Sequence, residues 1–395
     1  MTANEYVDSG VPMLATPDIK RRSINFDGAN RIPAERYDES PEIALSRGDV
    51  LLTKDGATIG ICNVVRDLPE PATVNGSIAV ITPSADLDGE FLYYVIVSRY
   101  AQSIFDRLRG GMGVPHLFQS DIKRVRIPLP PCDEQRAIAE FLDEQTSRID
   151  TLIAKQTQLI EALRERRAAV VDLALQDISW PILGLRHVLT AVDQGISPQA
   201  DAALASEGEW GVLKSGCVNH GEFRETEHKR LPQGFIIDAR HIIREGDLLV
   251  SRASGSPKLV GSAGVVGPLS YNLILSDKTF RFRPNGRVTT AFLRWWMNSR
   301  HYRHWVLRSI SGAEGLANNL PLAAIRAFPI ALPPREEQTE IVAHLDEQTS
   351  KIDALVAKTQ EHIALAKERR AALITAAVTG QIDVRTAAPA EMVVA

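Results

Sequence analysis

Apolar positions between residues 132 and 175 recur with the seven-residue step of a long amphipathic helix. Leu142, Ile149, Gln156, Leu163 and Val170 fall in one seam position, and Gln145, Leu152, Leu159, Arg166 and Leu173 in a second. The phase returns in the second half of the chain at Leu345, Ile352, Thr359, Ala366 and Leu373, with Gln348, Leu355, His362, Arg369 and Ala376 beside them. Leu-Pro-Pro forbids helix before each stretch, while Asp133-Glu134 and Glu336-Glu337 set carboxylates where first-turn N–H groups are free. At ~1.5 Å per residue, roughly 40 helical residues span on the order of 60 Å. Neither helix can bury its own seam, so the pattern predicts an antiparallel coiled-coil pair. Leu142, Ile149, Leu152, Leu159, Leu163 and Val170 would face Leu345, Ile352, Leu355 and Leu373. Gln156/Thr359 and Arg166/Arg369 interrupt both seams at matching places, which favours a register-specified pair over a fibrous coil.

Before the first helix the pattern is that of a mixed α/β domain. Ala44 to Thr53 reads as a turn feeding a strand, Lys54 to Gly60 as a glycine-punctuated loop, and Ser77 to Thr82 as a further strand. One amphipathic helix is predicted from Asp88 to Leu108, with Phe91, Leu92, Val95, Ile96, Tyr100 and Ile104 on its apolar side. Arg109-Gly110-Gly111-Met112-Gly113 breaks it, and Val125 to Leu129 reads as an exit strand. Residues 180–334 repeat the plan at Ile243–Arg252, Ala253–Gly261, Phe292–Leu307 and Ile325–Leu332. Setting Gly10 against Gly208 also aligns Gly48 with Gly246, and in that register the entry segment Trp180 to Leu189 has almost no counterpart in the first domain. The expectation is a first domain shortened at its N-terminus by roughly twenty residues, which either borrows a strand or begins late.

The helical stretches are near copies of one another. Glu134-Gln135 answers Glu337-Gln338, and Leu142-Asp143-Glu144-Gln145-Thr146-Ser147 answers Leu345-Asp346-Glu347-Gln348-Thr349-Ser350, without a gap. Their separation exceeds the roughly 20–50 residues of a solenoid repeat, so the chain is a duplicated half. The expected fold class is α+β: two similar mixed α/β domains, residues 1–131 and 180–334, separated by two long antiparallel helices, 132–179 and 335–395 with its tail, in pseudo-twofold halves.

Composition adds limits. The 44% hydrophobic content supports ordered cores. No run of about 18 apolar residues is present for a membrane span, and the polar start MTANEYVDSG does not read as a signal peptide, so a cytoplasmic protein without a membrane partner is expected. Cys62, Cys132 and Cys217 have no paired spacing, which argues against a disulfide framework and a zinc site. The net charge of −4 is uneven: residues 180–334 carry 18 Lys+Arg against 12 Asp+Glu, whereas 132–179 carry 6 against 10 and 335–395 carry 7 against 10. A polyanion suits the second domain, and protein partners suit the helices.

Catalytic motifs are missing. There is no phosphate-binding G-x-x-x-x-G-K-[ST], no H-E-x-x-H, no G-x-S-x-G, no Asn/Asp-Pro-Pro-Tyr and no metal-spaced cysteine pair. Gly111-Met112-Gly113 is the only G-x-G, with no dinucleotide-binding helix after it, and Pro17-Asp18-Ile19-Lys20 reads as an ordinary turn rather than a nuclease site. The glycine loops say more, because they recur at one place in two divergent domains. They are structural turns, and they can also bring Lys54 and Thr58, or Arg252, Ser254 and Lys258, to a phosphate or base edge. Lys20, Arg21 and Arg22, and Lys214, Asn219 and Arg224, are further candidates for DNA contact near the start of each domain. Helical spacing puts Phe292, Leu293, Trp296, Tyr302 and Val306 near one face, which reads as core, leaving Arg294, Arg300 and Arg303 for phosphate.

With these residues in view, the chain resembles the specificity subunit of Type I restriction-modification systems. The resemblance rests on Leu-Pro-Pro with Glu134-Gln135 and Glu337-Gln338, then Leu142-Asp143, Ile149-Asp150 and Glu165-Arg166-Arg167, repeated in order and closing on Val378-Thr379-Gly380-Gln381-Ile382-Asp383. It implies two target recognition domains, each reading one part of a bipartite double-stranded DNA target. The helices would set the spacer and dock two methyltransferase subunits, with Glu134, Gln135, Glu337 and Gln338 as docking candidates and motor-nuclease subunits joining through the complex. The chain itself would be non-catalytic and bind no cofactor. S-adenosylmethionine, ATP and Mg²⁺ would belong to the partners. The competing reading is a protein-interaction scaffold dimerising through its coiled coil, which steep salt dependence of duplex binding would separate from a DNA reader. A stand-alone nuclease or methyltransferase fits less well, for want of the motifs.

Overall fold

The computed structural model describes residues 6–20, 22–109, 115–177, 179–311 and 318–385. In the first domain the strands are Val11–Leu14 (β1), Asn30–Ile32 (β2), Val50–Thr53 (β3), Cys62–Val64 (β4), Thr73–Val74 (β5) and Ile78–Ile81 (β6), with a short helix Ala34–Asp38 (α1) after β2. They form two sheets, β2-β1-β5 and β4-β3-β6. β3 is buried throughout, and Val50, Leu51 and Leu52 are apolar, because both its faces are covered. Val50 and Leu52 share a core with Phe91 and Val95 of helix Gly89–Val97 (α2), while Leu51 points the other way into a core with Leu14 and Val74.

The single helix expected over Asp88–Leu108 is two, α2 and Arg99–Leu108 (α3). Ser98 divides them: its backbone is extended at ψ 152, and its hydroxyl accepts a hydrogen bond from the Ala101 N–H at 3.3 Å, capping α3. After Gln119–Ile122 (α4) the chain is irregular, so Val125–Leu129 is not the exit strand its sequence predicts, and among the described residues no strand pairs with it. The chain then enters the long helix Cys132–Ala174 (α5).

The second domain contains Ile182–Gly184 (β7), Leu189–Gln194 (β8), Trp210–Leu213 (β9), His228–Arg230 (β10), Leu248–Ser251 (β11), Ala253–Ser254 (β12), Ala263–Val265 (β13), Asn272–Ile274 (β14) and Thr279–Pro284 (β15). Thr290–Met297 (α6), Arg300–Ser309 (α7), Asn318–Asn319 (β16), Leu322–Ala327 (α8) and Pro329–Ala331 (β17) lead to the second long helix, Arg335–Val378 (α9). The order β10-β9-β14 reproduces β2-β1-β5, including one antiparallel and one parallel pair. The order β13-β11-β15 reproduces β4-β3-β6 and adds β8 on the far edge of β15, while β17 pairs with β7. Ser299 splits α6 from α7 as Ser98 splits their counterparts. Phe292, Leu293, Trp296, Tyr302 and Val306 are buried, as helical spacing predicts; Trp295 is buried as well, and Trp305 is exposed.

The chain forms two compact units, residues 1–158 with 359–395 and residues 159–358, so each holds one domain with a portion of both long helices. In unit 1, Ile138 and Leu142 share a core with Ile374 and Val378, and Arg370 donates to Asp150 at 2.9 Å. In unit 2, Val171 and Leu175 share a core with Leu345, and Arg167 donates to Asp353 at 2.9 Å. Within each unit the helices therefore run antiparallel, as expected. Asp150 and Asp353 are equivalent in the duplication, as are Arg167 and Arg370, so one ion pair is used twice.

One seam position agrees with the sequence: Leu142, Leu163, Leu345 and Ile352 are buried, and Ile149, Val170 and Leu373 are half-buried. The second seam is displaced by one residue. Thr146, Ile153, Ile160 and Arg167, and their counterparts Thr349, Val356, Ile363 and Arg370, take the places expected for Gln145, Leu152, Leu159 and Arg166 and for Gln348, Leu355, His362 and Arg369. Leu152 and Leu159 are each 48% exposed and Leu355 is 52% exposed, so none of the three is buried in the seam. Adjacent pairs such as Leu152-Ile153 and Leu159-Ile160 satisfy either phase, and in both helices the inner side chain is the one four residues after the first seam. No helix among the described residues is long and apolar enough to cross a membrane.

Candidate nucleic-acid interface

Each domain is fastened to its long helix by a glutamine. Gln135 has no solvent exposure; its Oε1 accepts the Asp88 N–H at 2.8 Å, and its Nε2 donates to the Asp86 and Pro130 carbonyls, both at 2.8 Å. Gln338, equally buried, accepts from Thr289 N–H at 2.8 Å and donates to Arg287 O at 2.8 Å and Pro333 O at 3.0 Å. Asp88 and Thr289 cap α2 and α6 with their side chains, so in each unit the first turn of the long helix is stitched to the start of the domain's own helix. This corrects Gln135 and Gln338 as surface docking residues: a polar side chain is buried here because three backbone groups satisfy it. Glu134 and Glu337 are half-buried beside them, Glu337 accepting the Trp180 indole N–H at 3.1 Å and Glu134 lying 3.8 Å from Arg385.

The glycine loops are held by one backbone latch in both units. Lys54 N–H donates to Ser77 O and its carbonyl accepts from Leu117 N–H, both at 2.9 Å; Arg252 N–H donates to Lys278 O at 2.8 Å and its carbonyl accepts from Leu320 N–H at 2.9 Å. The side chains on this common frame differ. In unit 1, Asp55 meets the His116 ring. Burial works against that carboxylate's charge, but hydrogen bonds to His116 and Ser77 and the nearby Lys54 outweigh it and hold its pKa below the usual range. In unit 2 the matching places are β12 and β16, with Ala253 opposite Asn319 and Ser254 opposite Asn318. His116, Asn318 and Asn319 are additions that the sequence did not single out; the available signal was their shared position after the glycine-containing stretch that ends α3 and α7.

The other candidates divide. Lys54 is half-buried, while Lys20, Lys258 and Arg224 are exposed. Thr58 is spent on its own turn, donating to Asp55 O at 3.1 Å, and Ser254 accepts from Ser256 N–H at 3.2 Å. Arg252 is half-buried, donating to Asp277 O at 3.0 Å with its guanidinium over the Phe280 ring. Lys214 lies 3.9 Å from Glu227. Asn219 sits in the turn Ser215–Gly221, which packs beside β12, and its Oδ1 is buried with no hydrogen-bond partner. The structure thus brings Arg252 and Ser254 together with Asn318 and Asn319 across the β12–β16 pair, with the turn that carries Asn219 packed beside β12.

Arg22 is a correction. Its guanidinium reaches Asp143 and the Tyr94 hydroxyl at 3.4 Å each, Thr146, and Asp150 at 3.9 Å, so it ties the β1–β2 connection to α5 instead of pointing free. Tyr94, pushed above the ordinary phenol range by burial and by donating to Asp143, stays a neutral donor in that cluster. Arg294, Arg300 and Arg303 are likewise committed, to Asp346, to Asp172 and to the Pro257 and Val260 carbonyls. Arg21 and Gly111-Met112-Gly113 lie outside the described residues. Asp18 accepts Ala15 N–H at 2.9 Å and closes an ordinary turn. Cys62, Cys132 and Cys217 are in no disulfide, and burial pushes Cys217 up to about 12. No group of three or more His, Cys, Asp or Glu that could hold a metal occurs among the described residues. Such latched, donor-bearing turns suit binding.

Residues 3–162 match the family described as the Type I restriction modification DNA specificity domain. The Type I restriction enzyme EcoKI specificity subunit of Escherichia coli K12 is 21% identical over 96% of this chain and 84% of its own length. The EcoEI specificity subunit of Escherichia coli is 28% identical over 46% of this chain and 31% of its own. Among solved structures, a chain from work on complex assembly and conformational transition of the type I R-M system matches at a TM-score of 0.69 and 18% identity, covering 86% of this chain and 83% of that one. The HsdS subunit from Thermoanaerobacter tengcongensis matches at 0.51 and 19%, covering 86% and 82%. These two likenesses show the fold.

Proposed function

We propose that the chain is a Type I restriction-modification specificity subunit and reads a bipartite double-stranded DNA target, one part with each domain. Specificity subunits are the non-catalytic recognition members of such systems. The observation that carries the bipartite reading is the repeated latch: two loops with the same backbone bonds carry Lys54, Asp55 and His116 in one unit and Arg252, Ser254, Asn318 and Asn319 in the other. A shared frame with unlike donors is what reading two different half-sites requires, since frame contacts position and side chains at base edges specify.

The helices set the unread spacer. α5 and α9 are unbroken over 43 and 44 residues, each about 65 Å at ~1.5 Å per residue, and the buried glutamines fix each domain to a helix start. Methyltransferase subunits dock on the helices, two of them by the duplication, with Glu134 and Glu337 near the helix starts and the exposed Leu152, Leu159, Leu355 and Leu365 as apolar contacts. Motor-nuclease subunits join through them in the cytoplasm, and S-adenosylmethionine, ATP and Mg²⁺ belong to those partners.

Replacing residues 180–334 by those of a relative with another target tests this. Mapping of methylated adenines in cells should show one half of the motif exchanged and the other half and the spacer unchanged. Exchange of both halves, or of neither, sinks the reading. Binding of the assembled complex to duplex should also weaken steeply with salt.

A further inference from the structure

The duplication places an arginine in unit 1 where its copy has none. Arg22 brings its guanidinium to Asp143 and the Tyr94 hydroxyl, each at 3.4 Å, to Thr146, and to Asp150 at 3.9 Å. Pro12 pairs with Arg31 and Gly211 with Arg230, so the β1–β2 and β9–β10 connections are equally long and Gly221 stands at the position of Arg22. Gly221 has a φ of 83°, which side chains rarely adopt, and it brings no side chain to this place. The counterparts of all four Arg22 partners are nevertheless kept: Asp346, Trp295, Thr349 and Asp353. In unit 2 these four line an open pocket of about 500 Å³, with Arg167, Arg294, His220 and Glu222 also in its wall.

We propose that this pocket binds the guanidinium of an arginine side chain carried by another polypeptide. Unit 1 supplies the pattern, since the same set of groups there holds an arginine delivered on a loop. Charge supplies the class. In unit 1, Asp143 and Asp150 are matched by Arg22 and Arg370. In unit 2, with His220 neutral, Asp346, Asp353 and Glu222 face only Arg167 and Arg294, which leaves one negative charge in excess.

The acceptors for a further cation are open. Arg294 and the Trp295 indole N–H both bond Oδ1 of Asp346, at 3.1 and 3.0 Å, leaving its Oδ2 without a hydrogen bond among the described residues. Glu222 is exposed and makes no ion pair among them. Thr349 donates its hydroxyl to Leu345 O at 2.7 Å, so its oxygen can still accept. A guanidinium fork can serve two carboxylates and a hydroxyl together, whereas an ammonium is a single point of charge. Once seated, the arginine ties the Ser215–Gly221 turn to α9, as Arg22 ties the β1–β2 connection to α5, so a protein partner meets two halves that differ at this place.

The test titrates the full chain with acetyl-arginine methylamide and follows the indole N–H resonance of Trp295, assigned with Trp295→Phe. The resonance should shift saturably, and acetyl-lysine methylamide should bind at least about fivefold more weakly. Glu222→Gln should weaken the arginine probe by about fivefold. Arg22→Gly should open the equivalent pocket in unit 1 and double the number of sites seen by calorimetry. Equal binding of both probes to the unchanged chain, full binding by Glu222→Gln, or a folded Arg22→Gly chain with no added site overturns the assignment. Agmatine that binds where the blocked arginine does not would give the pocket to a free guanidinium compound and overturn the polypeptide as its source.

Discussion

Unit 2 closes its main sheet with β8 against β15, whereas in unit 1 the matching strand, β6, has β3 as its single partner among the described residues. Around that difference nearly everything else is kept: two sheets of the same order, a Ser cap between two helices, a buried glutamine at the helix start and one backbone latch beneath the loop. The comparison separates what the scaffold needs from what an entering segment adds. Cores on the side of β3 facing away from α2 depend on residues present in both units. Cores on the α2 and α6 side depend on Leu185 and Val188 in one unit and on a hollow in the other.

The largest effect should come from removing the residue that most depends on that closure. Phe282 is 1% exposed between β11, β8 and the α6 layer, so Phe282→Ala should cost about 3–5 kcal/mol in unit 2. Its counterpart Ile81 is half-buried beside the cavity, and Ile81→Ala should cost about 1 kcal/mol, since fewer contacts are lost. Denaturant unfolding of each variant gives the ratio. Equal costs would mean that the hollow of unit 1 is filled as completely as the core of unit 2, which breaks the comparison.

The glutamines should behave alike. Gln135→Ala and Gln338→Ala each strand one N–H and two carbonyls in buried surroundings, and each should destabilise its unit by about 1–3 kcal/mol. If one substitution is silent, the lock in that unit is open to water and its helix start is free for a partner, which would restore the docking reading for that residue.

How much of this was legible in the sequence varied with the kind of signal. Helix starts, the duplication and the paired strands could be read because Pro-Pro, acidic first turns and apolar runs act locally. The phase of the second seam could not, since Leu152-Ile153 and Leu159-Ile160 offer two adjacent apolar residues, and packing selected the inner one. The breaks at Ser98 and Ser299 carried a signal, a serine able to cap, that an amphipathic stripe running past it concealed. Gln135 and Gln338 were conspicuous as a repeated polar position, but repetition does not say whether a residue faces in or out. Only the three backbone partners decide that. Among the loop candidates, Lys54 and Arg252 were found because glycine marks their turns. His116 and Asn318–Asn319 come from a distant stretch that only the fold brings to them, and Arg22 was misread because its acidic partners lie more than a hundred positions away.

The smallest expected effect separates the units by charge. Asp193 on β8 accepts from Arg281 and Arg283. Burial would raise its pKa, but the hydrogen bonds from Arg283 and Arg281 outweigh that and hold it below the ordinary carboxylate range. A carboxyl whose folded pKa is depressed stabilises fully above its unfolded value, ~3.9, and loses that contribution as pH falls through the lower folded value. With the side chain about a third exposed and Asp247 still beside Arg281, the loss should be no more than about 1 kcal/mol. It should appear only below about pH 4. Unit 1 has Val80 at the matching place and gains nothing from such a pair, so acid should loosen the β8 edge before the β6 side changes. Hydrogen exchange of residues 189–194 and 78–81 at falling pH follows both edges in one sample. Asp193→Asn should abolish the pH response at β8; a response that survives it would assign the acid sensitivity to another carboxylate and leave the difference between the edges to shape alone.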